Sequence, residues 1–195
     1  MEFSAVLLAG GKSSRMGTDK AGLEIGGLPL WRRQLETLRE SGAGEVFVSG
    51  RRDGVLADSG LEVIEDDERD GGPLTGLIVS LRRMRFPFLL VLAVDMPRMT
   101  SRYLRKLLSQ AEPGVGVVPQ RGELFEPLAA VYSCESLAVA DQCRREGKFA
   151  LQGFASRLVA GGLARSVAIS EDEAELFANV NTRGDRDALA REESA

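Results

Sequence analysis

The sequence predicts an α/β protein organised on a parallel sheet, and three observations carry that prediction. Strand-like and helix-like segments alternate along almost the whole chain. One apolar run, Phe88 to Val94, shows no polar alternation and so reads as a central strand buried on both faces. A third feature opens the chain: the apolar stretch Phe3 to Leu8 feeds a loop holding Gly10, Gly11 and Gly17 with the cations Lys12, Arg15 and Lys20. Glycines let backbone N–H groups approach a phosphate, and cations neutralise it. The spacing therefore predicts a nucleoside triphosphate at the end of the first strand.

Taken in order, the first strand is expected over Glu2 to Leu8. A helix follows Pro29, with Trp31, Leu35 and Leu38 on its inner face and Arg32, Arg33, Glu36 and Arg39 on the other; Gly42 ends it. Short strands are expected at Glu45–Ser49 and Leu61–Ile64. The acidic loop Glu65 to Gly72 precedes a helix from Pro73 to about Met84, with a stripe of Leu74, Leu77, Ile78 and Leu81. After the central strand, Thr100 or Ser101 caps a helix facing inward through Leu104, Leu107, Leu108 and Ala111. Further strands are expected at Val115–Pro119 and Leu128–Tyr132, with a turn at Arg121-Gly122-Glu123 between them. Helices at about Glu135–Glu146 and Leu151–Leu158, an edge strand at Arg165–Ile169 and a last helix from about Gly184 to Glu192 complete the pattern. Neither a repeat nor a linker interrupts it, so residues 1–195 read as one domain.

Composition narrows the chemistry. Apolar content of 44% and charged content of 28% belong to an ordinary soluble protein. With 25 cations against 29 anions the net charge is −4, which gives no basic footprint for nucleic acid. The chain has no His, which removes Ser-His-Asp triads, His-ligated metals and His bases together. Carboxylates, Lys, Arg, backbone dipoles and a hard metal ion remain. Cys134 and Cys143 match no metal pattern, and their spacing in a helical stretch speaks against a disulfide; a reducing, cytoplasmic compartment follows. No apolar run approaches the ~20 residues that span a bilayer, so no membrane partner is expected. The N-terminal segment, with Glu2 and no basic region, does not read as a signal peptide.

The opening loop fits neither a P-loop nor a dinucleotide fingerprint. Gly11-Lys12-Ser13 supplies a P-loop ending, but the first glycine would fall on Val6, and Lys12 breaks G-x-G-x-x-G. Asp95 stands at the carboxyl end of the apolar run, where open α/β sheets bind ligands, and suits Mg²⁺ beside a phosphate; a turn or helix-capping role is the alternative. Asp66 holds the equivalent place after the third strand, with a solvated acidic loop as its alternative. Asn179 and Asn181 flank Val180 in an alternating segment, which suits either a metal or phosphate contact or a strand end before the last helix. Lys148 and Arg157 could meet an anionic second substrate or form a solvated face.

These motifs resemble the molybdenum cofactor guanylyltransferase (MobA-like) family of the nucleotidyltransferase superfamily. The resemblance covers nearly the whole chain. It rests on Leu8-Ala9-Gly10-Gly11-Lys12-Ser13-Ser14-Arg15-Met16-Gly17-Thr18-Asp19-Lys20, Gly27-Leu28-Pro29-Leu30, Val63-Ile64-Glu65-Asp66, Gly72-Pro73-Leu74-Thr75-Gly76, Val94-Asp95-Met96-Pro97 and Asn179-Val180-Asn181-Thr182. It implies a Rossmann-like three-layer sandwich with a mostly parallel central sheet, as in nucleotide-diphospho-sugar transferases. The implied reaction joins GMP from GTP to molybdopterin, forming molybdopterin guanine dinucleotide and releasing pyrophosphate. GTP and the molybdopterin cofactor are then the substrates, and molybdoenzymes or cofactor-insertion proteins the recipients.

By the same resemblance Leu8, Ala9 and Gly10 border the guanine nucleotide, Lys20 and Asp66 bind it, and Asp95 holds Mg²⁺; the Gly10 and Gly11 amides are placed to hold its phosphates. Arg15, Lys20 and Asp95 are the implied catalytic set. Ser49 departs from the family, whose members often carry Asn there. Glu126-Pro127-Leu128 and Gly147-Lys148-Phe149-Ala150-Leu151 match only loosely the part that faces the second substrate. Two rival readings stay open: a sister enzyme (a molybdopterin cytidylyltransferase or another guanylyl- or sugar-nucleotide transferase), and a nucleotide-binding module without turnover.

Overall fold

The computed structural model describes residues 1–10, 20–52, 56, 60–65, 72–180 and 183–192. Strand β1 (Ser4–Leu8) is followed by a 3-10 turn at Lys20–Gly22 and a small hairpin, β2 (Glu24–Ile25) with β3 (Leu28–Pro29). Helix α1 (Leu30–Glu40) begins one residue after Pro29, which serves as N-cap rather than as first helical residue. The Leu30 N–H, which the helix itself cannot satisfy, donates to the Leu23 carbonyl at 2.8 Å. Gly42, at φ 92°, ends the helix in a conformation that other residues rarely adopt.

Strands β4 (Glu45–Ser49) and β5 (Val63–Ile64), helix α2 (Gly72–Arg83), strand β6 (Phe88–Ala93) and helix α3 (Ser101–Leu108) follow. The Thr100 side chain accepts from the Tyr103 N–H, a cap of the expected kind worth about 1 kcal/mol. Next come β7 (Gly116–Arg121), β8 (Leu124–Phe125), β9 (Ala129–Ser133), α4 (Ser136–Arg145), α5 (Leu151–Ala160), β10 (Ala164–Ala168) and α6 (Arg183–Glu192).

The main sheet runs in the order β10-β7-β9-β6-β1-β4-β5, with β8 paired to the end of β7. The apolar run is its middle strand, and every residue of β6 is buried. Phe88, Leu90 and Leu92 face the layer of α1 and α3, while Leu89 and Val91 face that of α2, α4 and α5. Strand β1 divides the same way, Ala5 and Leu7 to one layer and Val6 and Leu8 to the other. Two apolar layers thus cover both faces, the three-layer arrangement expected of a sheet without polar alternation.

The sheet is mostly rather than wholly parallel. β1 pairs in parallel with β4 and β6, and β10 with β7, but β9 runs against both β6 and β7. The cause is the short connection at Gly122-Glu123: a two-residue hairpin joins only antiparallel strands, and Gly122 at φ 59° supplies its turn. Having turned back, the chain fills the slot between β6 and β7. The described part of the alternating segment, Ala178 to Val180, forms no strand; it follows a 3-10 helix at Glu171–Phe177, and Phe177 and Val180 turn into the core while Ala178 and Asn179 are exposed.

Candidate functional site

The carboxyl ends of β1, β4, β5 and β6 lie together at one edge of the sheet, and backbone hydrogen bonds bind their extensions to one another. The Ala9 N–H donates to the Ser49 carbonyl at 2.9 Å, the Gly50 N–H to the Ile64 carbonyl at 3.0 Å, and the Val94 N–H to the Leu8 carbonyl at 3.1 Å. Along the first strand the chain rises out of the core: Leu8 is buried, Ala9 half-buried and Gly10 exposed. Val94 and Asp95 repeat that emergence on the neighbouring strand, buried and then half-buried. Leu8, Ala9, Gly10 and Asp95 are therefore gathered at one edge.

Asp95 stands on a turn fixed from several sides. Its carbonyl accepts from the Val180 N–H at 2.8 Å, so the Asn179-Val180 segment does reach the site, through its backbone. Asn179 is exposed beside Pro97, Arg98, Asp185 and Leu189, which line a cavity of about 190 Å³. The Met96 carbonyl accepts from the Met99 N–H at 3.0 Å and from the side chain of Gln34 on α1. Gly11, Arg15, Asp66 and Asn181 lie outside the described residues. Lys20 begins the 3-10 turn that follows the loop, and its backbone alone is described.

Ser49 is buried at 3% exposure beneath α2, where a methyl placed on Gly76 would lie 2.8 Å from its Oγ. Its carbonyl, not its side chain, serves the edge by holding Ala9. Gly50 lies beside it against the same edge, where a Cβ would stand in ordinary van der Waals contact with Ala9 C and Gly10 N at 3.4 Å. Farther out, the Arg52 N–H donates to Glu65 Oε1 at 3.0 Å and links the segments after β4 and β5.

Lys148 and Arg157 do not stand as free cations. Both pair with Glu146, at 2.9 and 2.6 Å. Hydrogen bonds from Arg157, then Lys148 and Gln142, hold the Glu146 carboxyl down to about 2. The two cations at the α4–α5 junction thus share one carboxylate, which ties both heads in place and offsets one of their two charges.

Glu126 reaches the same edge as Asp95 from the other direction. The β6–β9 ladder closes with Leu92 opposite Ala129, and the Ala93 N–H still donates to the Leu128 carbonyl at 2.8 Å. Glu126 itself is tied to β7, its N–H donating to the Pro119 carbonyl at 2.8 Å. Burial pushes the Glu126 carboxyl above the usual range, with Arg121 pulling the other way. Sequence reasoning named Glu126 but missed Gln34, whose trace was present: a polar residue inside the Trp31, Leu35, Leu38 stripe.

The donor chemistry at this edge suits a hard cation. Asp95 offers carboxylate oxygens, and among the described residues no group of three or more His, Cys, Asp or Glu forms a closed metal cage. Magnesium needs one or two carboxylates and completes its shell with water and substrate phosphates. Among the described residues, no helix is long and apolar enough to cross a membrane.

Comparison with known proteins agrees with this architecture. A "Probable molybdenum cofactor guanylyltransferase" of Opitutus terrae is 36% identical over 192 residues, covering 97% of this chain and 95% of its own. The crystal structure of "Molybdopterin-guanine dinucleotide biosynthesis protein A" from Archaeoglobus fulgidus superposes with a TM-score of 0.77 at 21% identity, covering 98% of each chain. That of 2-C-methyl-D-erythritol 4-phosphate cytidylyltransferase from Thermus thermophilus gives 0.73 at 18% identity over 100% of both, and both likenesses establish the fold. Residues 5–160 match the family described as "MobA-like NTP transferase domain", and the chain belongs to it.

Proposed function

We propose that this protein transfers GMP from GTP to the molybdopterin cofactor, forming molybdopterin guanine dinucleotide and releasing pyrophosphate. The observation that carries this reading is the meeting of Leu8–Gly10 and Asp95 at one edge, joined by the Val94–Leu8 hydrogen bond. Family membership and the O. terrae relative's name support it.

In this reading the Gly10 backbone and the Gly11 amide border the nucleotide phosphates, and Asp66 binds the nucleotide. Asp95 holds Mg²⁺, which when bound lowers the negative charge at the α-phosphate. Arg15 and Lys20 neutralise the β- and γ-phosphates and so stabilise the leaving pyrophosphate. A phosphate oxygen of molybdopterin bonds to the α-phosphorus while the bond from that phosphorus to the α–β bridging oxygen breaks. A phosphate monoester is already ionised at neutral pH, its second pKa being about 6, so no general base is needed. This agrees with a chain that has no His. The residues' contribution is alignment and charge compensation, which dominate phosphoryl-type transfer. The cytoplasm suits such an enzyme and its two free cysteines, exposed Cys134 and buried Cys143.

The test is pyrophosphate release from GTP, Mg²⁺ and molybdopterin, beside thermal-shift titrations with GTP, CTP, ATP and UTP. Stabilisation and release with GTP are expected. Release with CTP alone would make it a cytidylyltransferase, the activity named for the T. thermophilus neighbour on a different substrate. Binding without release would make it a nucleotide-binding module.

A further inference from the structure

Helix α1 buries Leu30, Trp31, Gln34, Leu35 and Leu38, and Gln34 is the polar member of that set, with 0% exposure. Its Nε2 donates to the Met96 carbonyl, the residue after Asp95, across 62 positions of sequence. Its Oε1 is buried and accepts from none of the described residues. An unsatisfied buried amide oxygen is destabilising, so a Leu or Met here would serve the core better. What Gln34 adds is a bond to one point, the turn that carries Asp95.

That turn leaves the sheet at Ala93 and is held by contacts from three directions. Val94 N–H reaches β1 through Leu8, and the Asp95 carbonyl takes the Val180 N–H. These two are backbone contacts on the strand side and the C-terminal side. Gln34 supplies the third, from the helical layer beneath, and its side chain makes that contact dependent on residue identity.

We propose that Gln34 is a positioning residue, fixing the Asp95-Met96 turn so that the Asp95 carboxylate is presented at the geometry a divalent cation requires. The inference rests on the reading of Asp95 as the metal ligand and assigns no contact between Gln34 and substrate. Residues that orient metal ligands typically affect metal affinity or activity by 10- to 100-fold when removed.

The experiment uses Mn²⁺ as the probe, titrated by electron paramagnetic resonance in the presence of GTP, with Gln34→Met and Gln34→Leu as volume-matched variants lacking the donor. Mn²⁺ binding is expected to weaken by about tenfold, with kcat reduced to a similar degree. The KM for GTP should change little, and the melting temperature should hold or rise. Unchanged Mn²⁺ binding in both variants, with or without a lower melting temperature, overturns the proposal and leaves Gln34 a packing residue. Asp95→Asn serves as reference: if it binds Mn²⁺ like the unaltered protein, the metal reading itself fails, an outcome separate from failure at Gln34.

Discussion

Ser49 and Gly76 meet with no room between them, since a methyl on Gly76 would stand 2.8 Å from Ser49 Oγ and 3.6 Å from Leu8 Cδ2. This contact seats α2 on the carboxyl ends of β1 and β4. Gly76→Ala is expected to destabilise the fold by about 1–3 kcal/mol through overpacking. Adding Ser49→Ala removes the colliding oxygen and should recover most of that loss. Urea denaturation of both single variants and the double variant gives the coupling directly. Additive effects would mean that the two residues do not share this contact.

Asp95→Asn retains the size of the side chain and removes its charge. If the metal contributes several kcal/mol to the transition state, turnover should fall by about a hundredfold or more. The circular dichroism spectrum and melting temperature should be nearly unchanged, because the Asp95 backbone keeps its bond from Val180. A near-normal rate of dinucleotide formation would remove Asp95 from catalysis.

Glu146 and Glu126 should respond to pH in opposite senses. The Glu146 carboxyl is held down to about 2 by Arg157, Lys148 and Gln142, against an ordinary value of about 4.3. In that window the unfolded chain binds more protons, so stability rises with pH and this contribution is lost as pH falls toward 2. Glu146→Gln should make the acid-unfolding curve shallower. Glu126 is raised by burial, so the folded state retains its proton longer, and stability falls as pH rises through its elevated value. Glu126→Gln should abolish that decline, as thermal melts across a pH series would register.

Gly116 tests the reversed strand. A Cβ on it would stand 2.3 Å from the Val131 carbonyl oxygen, closer than any side chain is accommodated. Because the obstruction is backbone, Gly116→Ala must push β7 away from β9. A loss of about 2 kcal/mol or more is expected in chemical denaturation, with faster amide exchange along β9 than along β1. Uniform exchange across both strands would argue against a local effect.

Much of this architecture was legible because periodicity reports burial. The unalternating Phe88–Val94 run required cover on both faces, and the stripes of α1, α2 and α3 supplied it. Asp95 was legible for the same reason, as the first charge after a buried strand. Gln34 was legible only as a polar residue in an apolar stripe, because its partner is a backbone carbonyl 62 residues away and no local pattern encodes that distance. The Asn179–Val180 segment misled in a similar way: alternation suggests a strand, yet Val180 bonds to a turn rather than to a ladder. Lys148 and Arg157 looked available because Glu146 is brought to them only by the fold around the α4–α5 corner.

The reversal of β9 divides the edge that carries Gly10 and Asp95 by direction of travel. On the β1, β4, β5 and β6 side the chain departs from the edge, and α2 and α3 follow β5 and β6 in sequence. On the β9 side the chain arrives, through Glu126-Pro127-Leu128 at the end of a short hairpin. Residues inserted or exchanged before β9 would therefore reshape that side of the edge while leaving strands β1, β4, β5 and β6 on the other side unaltered. If the proposed function holds, exchanges in the β8–β9 connection should alter acceptor preference with little change in the KM for GTP.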